Sequence, residues 1–170
     1  MLVCQTPLRI SFFGGGTDIP EYYTASPNGG QVISAAIDKS TYVILNRLYR
    51  DQFVCNYTKK ETVSYIEEIE HEYIREVLRH FDVAPGLEIT TLADIPSEGS
   101  GLASSSSILV GLINAISTWI GAPMNQVDIA HLPCHIELEI LDKPIGKQDQ
   151  YAAAYGLSVS YTHLTLPTKA

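Results

Sequence analysis

The segment Gly99-Ser100-Gly101-Leu102-Ala103-Ser104-Ser105-Ser106 stands directly before a long apolar stretch. Glycines let a backbone come close to a ligand, and the free amides and dipole of a helix start favour an anion such as phosphate. A serine hydroxyl in that first turn can reach a phosphate or a magnesium ion. The lysine of the common nucleotide loop GxxxxGK[ST] is missing. A glycine turn closed by a serine cap therefore stays open as the plainer alternative.

Three further segments gather reactive side chains. In Gly146-Lys147-Gln148-Asp149-Gln150, just before the apolar run Tyr151 to Tyr155, a carboxylate at the core edge can accept a hydroxyl proton if a cation keeps it ionised. Asp149 serves equally as a helix cap. Glu137 shares a helical arc with Ala130, Cys134, Ile140 and Leu141, whereas Glu139 falls opposite with Asp128 and His135. A carboxylate on a buried arc needs a metal ion or a buried Lys or Arg, unless it reaches out to solvent or pairs structurally. In Pro7-Leu8-Arg9-Ile10-Ser11-Phe12-Phe13-Gly14-Gly15-Gly16-Thr17-Asp18, Arg9 supplies a fixed cation, and Asp18 is placed either to meet sugar hydroxyls or in a surface turn. His131 and His135 are four apart, but Pro133 lies between them and no Glu follows the first, which argues against a metal site.

These residues must be positioned by a mixed set of elements. Leu2 to Phe13, Gln31 to Ile37, Thr41 to Leu48, Gln52 to Tyr57 and Leu87 to Thr91 carry strand patterns, the second and third read as a pair. Apolar spacings of three and four predict helices over Glu67 to Phe81 and Ser104 to Trp119. The charge run Glu67 to Glu72 reads as the solvated face of the first of these. A third helix is predicted over Asn125 to Leu141, with Asn125 as its cap and Pro133 expected to kink or interrupt it. Strands alternating with helices indicate an α+β domain.

The chain has 170 residues, 45% of them hydrophobic and 18% charged, which is the size and composition of one domain with a buried core. Its formal charge of −8 repels nucleic acid and anionic membranes, and no basic patch offsets it. No run of about 20 apolar residues offers a membrane span, and the first residues lack a secretory pattern. Cys4, Cys55 and Cys134 have neither metal nor redox spacing and read as reduced thiols of a cytoplasmic protein.

Taken in order, the four segments resemble the GHMP kinase superfamily, which includes galactokinase, homoserine kinase and mevalonate kinase, and most of all its bacterial D-glycero-D-manno-heptose 7-phosphate kinase branch. The likeness rests on Pro7 to Asp18, on Ile95-Pro96-Ser97-Glu98-Gly99-Ser100-Gly101-Leu102 with the serines that follow, and on Lys143-Pro144-Ile145-Gly146-Lys147-Gln148-Asp149-Gln150-Tyr151. It implies the superfamily's N-terminal domain, of the ribosomal protein S5 domain 2-like fold, with a mixed sheet and helices packed on one side. It also implies an ATP- and magnesium-dependent kinase acting on the anomeric hydroxyl of a sugar phosphate, with heptose 7-phosphate first and fucose or galactose as alternatives. A non-catalytic sugar- or nucleotide-binding relative is the competing class.

The roles that the resemblance implies are specific. Asp149 takes or orients the hydroxyl proton, with Arg9 beside it. Gly99, Ser100, Gly101, Leu102, Ala103, Ser104, Ser105 and Ser106 hold the ATP phosphates. Ser105 and Glu137 face magnesium, and Gly15, Gly16, Thr17 and Asp18 meet the sugar.

Three positions depart from the superfamily's pattern. Ala103 and Asp142 stand where glycine is usual, the first being harmless only with a negative φ, and Pro133 interrupts a helix that is normally continuous. The superfamily also has a second, C-terminal domain, so a chain ending here is expected to be inactive or unstable alone. Val159 to Thr168 matches one reading frame of a transposase-type sequencing adaptor, so the natural domain is expected to end at residue 158, with 159–170 a non-native tail.

Overall fold

The computed structural model describes residues 1–96 and 100–156. Five strands form one mixed sheet: β1 (Leu2–Phe13), β2 (Ile33–Arg47), β3 (Phe53–Asn56), β4 (Lys60–Val63) and β5 (Leu87–Ala93), in the spatial order β1-β2-β5-β3-β4. β3 and β5 run parallel, and the other neighbours are antiparallel. Five α-helices accompany the sheet: α1 (Pro20–Ala25), α2 (Glu72–His80), α3 (Ser104–Trp119), α4 (Gln126–His135) and α5 (Gln148–Tyr155).

Strand alternation decides where the core lies. Val43, Leu45, Phe53, Cys55, Leu87 and Ile89 turn to one face and are buried with Ile74, Leu78, Leu109, Leu112, Ile113 and Ile136 from the helices. Val3 and Leu92, on the opposite pleat, are exposed. α3 is the central helix, buried on most of its circumference because its sequence from Ile108 to Trp119 is apolar nearly all round. It crosses β1 and β2 at Gly111, where an added Cβ would stand 2.7 Å from Thr6 Oγ1. Four residues earlier, the Ser107 hydroxyl bonds the Pro7 carbonyl at 2.9 Å and the Thr41 hydroxyl at 3.0 Å. The serine run is therefore the pinned first turn of this helix.

Several elements differ from the sequence expectation. The two strands predicted over 31–37 and 41–48 are one strand, because Asp38, Lys39 and Ser40 stay extended although Asp and Ser are residue types that favour turns. The extra residues are absorbed as a bulge opposite Pro7 to Arg9, with Leu8 buried there. The helix expected from Glu67 is a single 3-10 turn, Ile66–Glu68, and then α2. Ile69 is extended between them, and the His71 ring caps α2 on the Ile74 amide. Part of the acidic run is structural: the Glu68 carboxylate accepts the Ser64 and Tyr65 amides at 3.0 and 3.1 Å.

Pro133 does not break its helix. α4 runs through it and widens into one π turn, Ile136–Ile140, closed by the Leu141 amide on the Ile136 carbonyl at 2.9 Å. Burial of Leu132, Pro133 and Cys134 in the packed layer overrides the local preference. α1 and β4 were not anticipated from the sequence. No helix among the described residues is long and apolar enough to cross a membrane, and the three cysteines are free thiols.

Candidate active site

The bulged end of β1, the start of α3 and the start of α5 meet at one point. Arg9 donates from Nε to Asp149 Oδ1 at 2.7 Å and from Nη1 to the Gly101 carbonyl at 2.7 Å, while its Nη2 lies 2.6 Å from the same carboxylate. One guanidinium thus ties three distant segments together, with Nε and Nη2 converging on the one oxygen Oδ1 and Nη1 left for the carbonyl. Asp149 sits in the first turn of α5, whose N-cap is Lys147, so it is not the cap. Burial pushes its carboxyl above the usual range, the Arg9 guanidinium opposes this, and the charge of Asp18 adds to the rise.

Asp18 is 1% exposed. It accepts the Gly16 amide at 3.1 Å and the Gln148 amide at 3.0 Å, joining its own loop to the head of α5. A Cβ at position 146 would overlap that carboxylate, so only glycine allows the approach. The Thr17 hydroxyl is taken up within the loop, 2.8 Å from the Gly14 carbonyl and 3.0 Å from the Gln31 amide. Gly15 and Gly16 are exposed beside it. Asp18 and Thr17 therefore fasten the loop, and Gly15 and Gly16 form its open surface.

Glu137 is fully buried in the π turn, as its helical arc predicts, but its partners are neutral. Its carboxylate accepts the Tyr73 hydroxyl at 2.7 Å, the Ser106 hydroxyl at 3.0 Å and the Gln150 amide nitrogen. Neither Lys nor Arg reaches it among the described residues, and burial pushes its carboxyl up, with the hydrogen bonds from Tyr73, Gln150 and Ser106 opposing. Ser106, not Ser105, meets Glu137 directly, and Ser105 lies one residue away on the exposed side.

The loop between β5 and α3 has Ser100, Gly101, Leu102 and Ala103 among the described residues, whereas Gly99 lies outside them. Ala103 has φ 66°, so the condition under which alanine is harmless at this position is not met. Asp142 likewise has φ 49°, so both non-glycine residues at the superfamily's glycine positions carry the glycine conformation. Among the described residues α3 has no side-chain N-cap to take up its first amides, and the buried Ser104 hydroxyl has no hydrogen-bond partner.

The same loop and helix start wall a cavity of about 550 Å³ bounded by Tyr57, His71, Tyr73, Ile95, Pro96 and Ser104. Sequence reasoning did not find this cavity, whose lining is drawn from the turn after β3, the start of α2, the end of β5 with the residues that follow it, and α3. The only local signal was aromatic residues scattered through the helix and strand patterns.

Comparison with known proteins shows the family and the fold. The model of the GHMP kinases N terminal domain matches residues 72–157. The chain belongs to the GHMP kinase family. It is 35% identical over 169 residues to the D-glycero-alpha-D-manno-heptose 7-phosphate kinase of Campylobacter jejuni, covering 89% of this chain and 48% of that protein. It is 26% identical over 162 residues to a galactokinase of Thermotoga petrophila, covering 89% of this chain and 43% of the relative. Among solved structures, a D-glycero-D-manno-heptose 1-phosphate kinase from Bacteroides thetaiotaomicron superposes with a TM-score of 0.81 at 29% identity, covering 92% of this chain and 54% of that one. This GHMP kinase chain thus spans about half the length of the relatives it matches. The sheet and its helices are the family's N-terminal domain.

Proposed function

We propose that this chain supplies the N-terminal domain of an ATP-dependent kinase that phosphorylates the anomeric hydroxyl of a sugar phosphate, heptose 7-phosphate being the substrate that the likeness to the Campylobacter jejuni relative favours. The observation that carries the reading is Arg9, which grips Asp149 and the Gly101 carbonyl at once. It sets a carboxylate beside a helix start suited to phosphate. In this reading, the first amides of α3 and the loop from Gly99 to Ser106 cradle the ATP phosphates, and the cavity beside Tyr73 and Ser104 takes the nucleoside. Gly15, Gly16 and Thr17 flank the sugar, with Asp18 holding their loop against α5.

Asp149 receives the hydroxyl proton as the sugar oxygen attacks the γ-phosphorus and ADP leaves, and Arg9 balances the carboxylate charge. Glu137 fits a magnesium site: it is a buried carboxylate without a cation, close to serine hydroxyls. No group of three His, Cys, Asp or Glu among the described residues could hold an ion, so the remaining ligands would be Ser105, phosphate oxygens and water, as suits magnesium. When bound, that ion would offset charge on the transferring phosphoryl group.

Asp149→Asn, introduced into the protein at its full natural length, tests the reading. A kcat loss of about 10²- to 10⁴-fold with KM for ATP little changed is the expected result. Unchanged turnover removes Asp149 from the proton step. ATP binding with no phosphorylation of any sugar by the unmutated enzyme favours a binding protein instead.

A further inference from the structure

A second cavity of about 550 Å³ lies on the other side of the α5 start, between α1, α4 and Lys147. Its lining includes Tyr23, His80, His131, His135 and Lys147. The Lys147 ammonium is seated over the Tyr23 ring, 5.2 Å from its centroid, an arrangement that fixes a cation without neutralising it. The other cations near the catalytic point are committed, Arg9 to Asp149 and Lys143 to Glu72 at 2.6 Å. Lys147 has no carboxylate within 4.0 Å among the described residues.

Two acidic residues also border the cavity, but both are engaged on their own helix. Asp128 accepts the Asn125 amide nitrogen at 2.7 Å, and Glu139 pairs with His135 at 2.9 Å. The His131 ring is held by the Tyr151 hydroxyl at 3.1 Å. In a chain of net charge −8, a doubly charged ligand needs such a local cation to offset the general repulsion.

We propose that Lys147, on its Tyr23 platform with His131 lining the same cavity, binds the phosphate that the sugar substrate already carries, and so selects phosphorylated over free sugars. Lys147 and Asp149 flank one turn at the head of α5, with about 5 Å between their Cα atoms by helix geometry. The carboxylate turns to Arg9 and the ammonium to α1. A sugar phosphorylated at the chain end remote from its reacting hydroxyl bridges the two. This assignment rests on the kinase reading for its substrate, but the anion site stands on the cavity alone.

The 170-residue chain can be titrated with inorganic phosphate while ¹H–¹⁵N amide spectra are recorded. Shifts at Tyr23, His131 and Lys147 are expected, with affinity at least about tenfold weaker in Lys147→Met and largely kept in Lys147→Arg, a tenfold change being about 1.4 kcal/mol. Tyr23→Leu, which removes the platform, should weaken binding in the same direction and serves if Lys147→Met does not fold. Heptose 7-phosphate should displace the ion, and the unphosphorylated heptose should not. Shifts confined to Ser104 to Ser106, or equal saturation in folded Lys147→Met and Tyr23→Leu, overturn the site. Phosphate binding that heptose 7-phosphate cannot displace overturns the substrate assignment. Lack of ATP-dependent phosphorylation by the protein at its full natural length, with this site intact, counts against the kinase reading and leaves the anion site standing.

Discussion

Ala103 illustrates how a single residue can stand at odds with its backbone. A left-handed φ costs a residue with a Cβ about 1–2 kcal/mol, and glycine escapes this at some expense in chain entropy. Ala103→Gly should therefore stabilise the domain by about 0.5–1 kcal/mol, raising Tm by about 1–4 °C at this chain length. Thermal unfolding checks it, and an unchanged or lower Tm would show that the strain is relieved elsewhere. Asp142, also left-handed, should gain less from the same change, because aspartate tolerates that region better than alanine.

At the scale of elements, α2 depends on an imidazole. The His71 ring accepts the Ile74 amide at 3.5 Å and lies edge-on to Tyr57, with ring centroids 4.7 Å apart. Burial lowers its pKa from the ordinary 6.5, and the Glu61 carboxylate opposes this. Below that ordinary value the unfolded chain takes up the proton more readily than the folded one, so the stability His71 contributes is complete above pH 6.5 and is lost as pH falls toward its folded pKa. His71→Asn keeps a capping oxygen and does not titrate there. The Tm difference between variant and parent should shift in favour of the variant between about pH 7 and 5. A constant difference across that range would show that the ring does not titrate with folding.

The whole molecule exposes surface that an isolated domain would normally hide. Phe12 is 56% exposed and Phe13 73%, at the end of β1, and Phe13 pairs with Ile33, which is 45% exposed. An apolar ribbon end of this kind promotes association. The 170-residue chain should self-associate as its concentration rises, and Phe13→Ser should shift sedimentation profiles toward monomer without lowering Tm by more than about 0.5 kcal/mol in equivalent stability. Concentration-independent sedimentation of the parent chain would contradict this. Residues 157–170 lie outside the described structure, and we propose that the natural frame departs near Ser158. Re-reading the source DNA beyond Gly156 should then find the frame continuing into a second domain. A stop codon after Ala170 would refute it.

The sequence by itself determined the elements whose patterns are strong and local. Ser104 to Trp119 is helical over those bounds because an apolar run follows a glycine-serine start, and Glu137 is buried because its arc is apolar. The order of the motifs was enough to indicate the family. Weak or short patterns did not declare themselves: α1 has six residues and β4 four, and each exists only through its neighbours. Tertiary structure alone decided that β2 is one strand, since its pairing with β1 continues on both sides of Asp38 and Lys39. It alone brought Arg9 to Asp149, 140 residues away in sequence, and Tyr73 and Ser106 to Glu137. Local periodicity sets which face of an element is apolar. Which side chains meet across the core is set by packing between elements, and no single stretch of sequence encodes that.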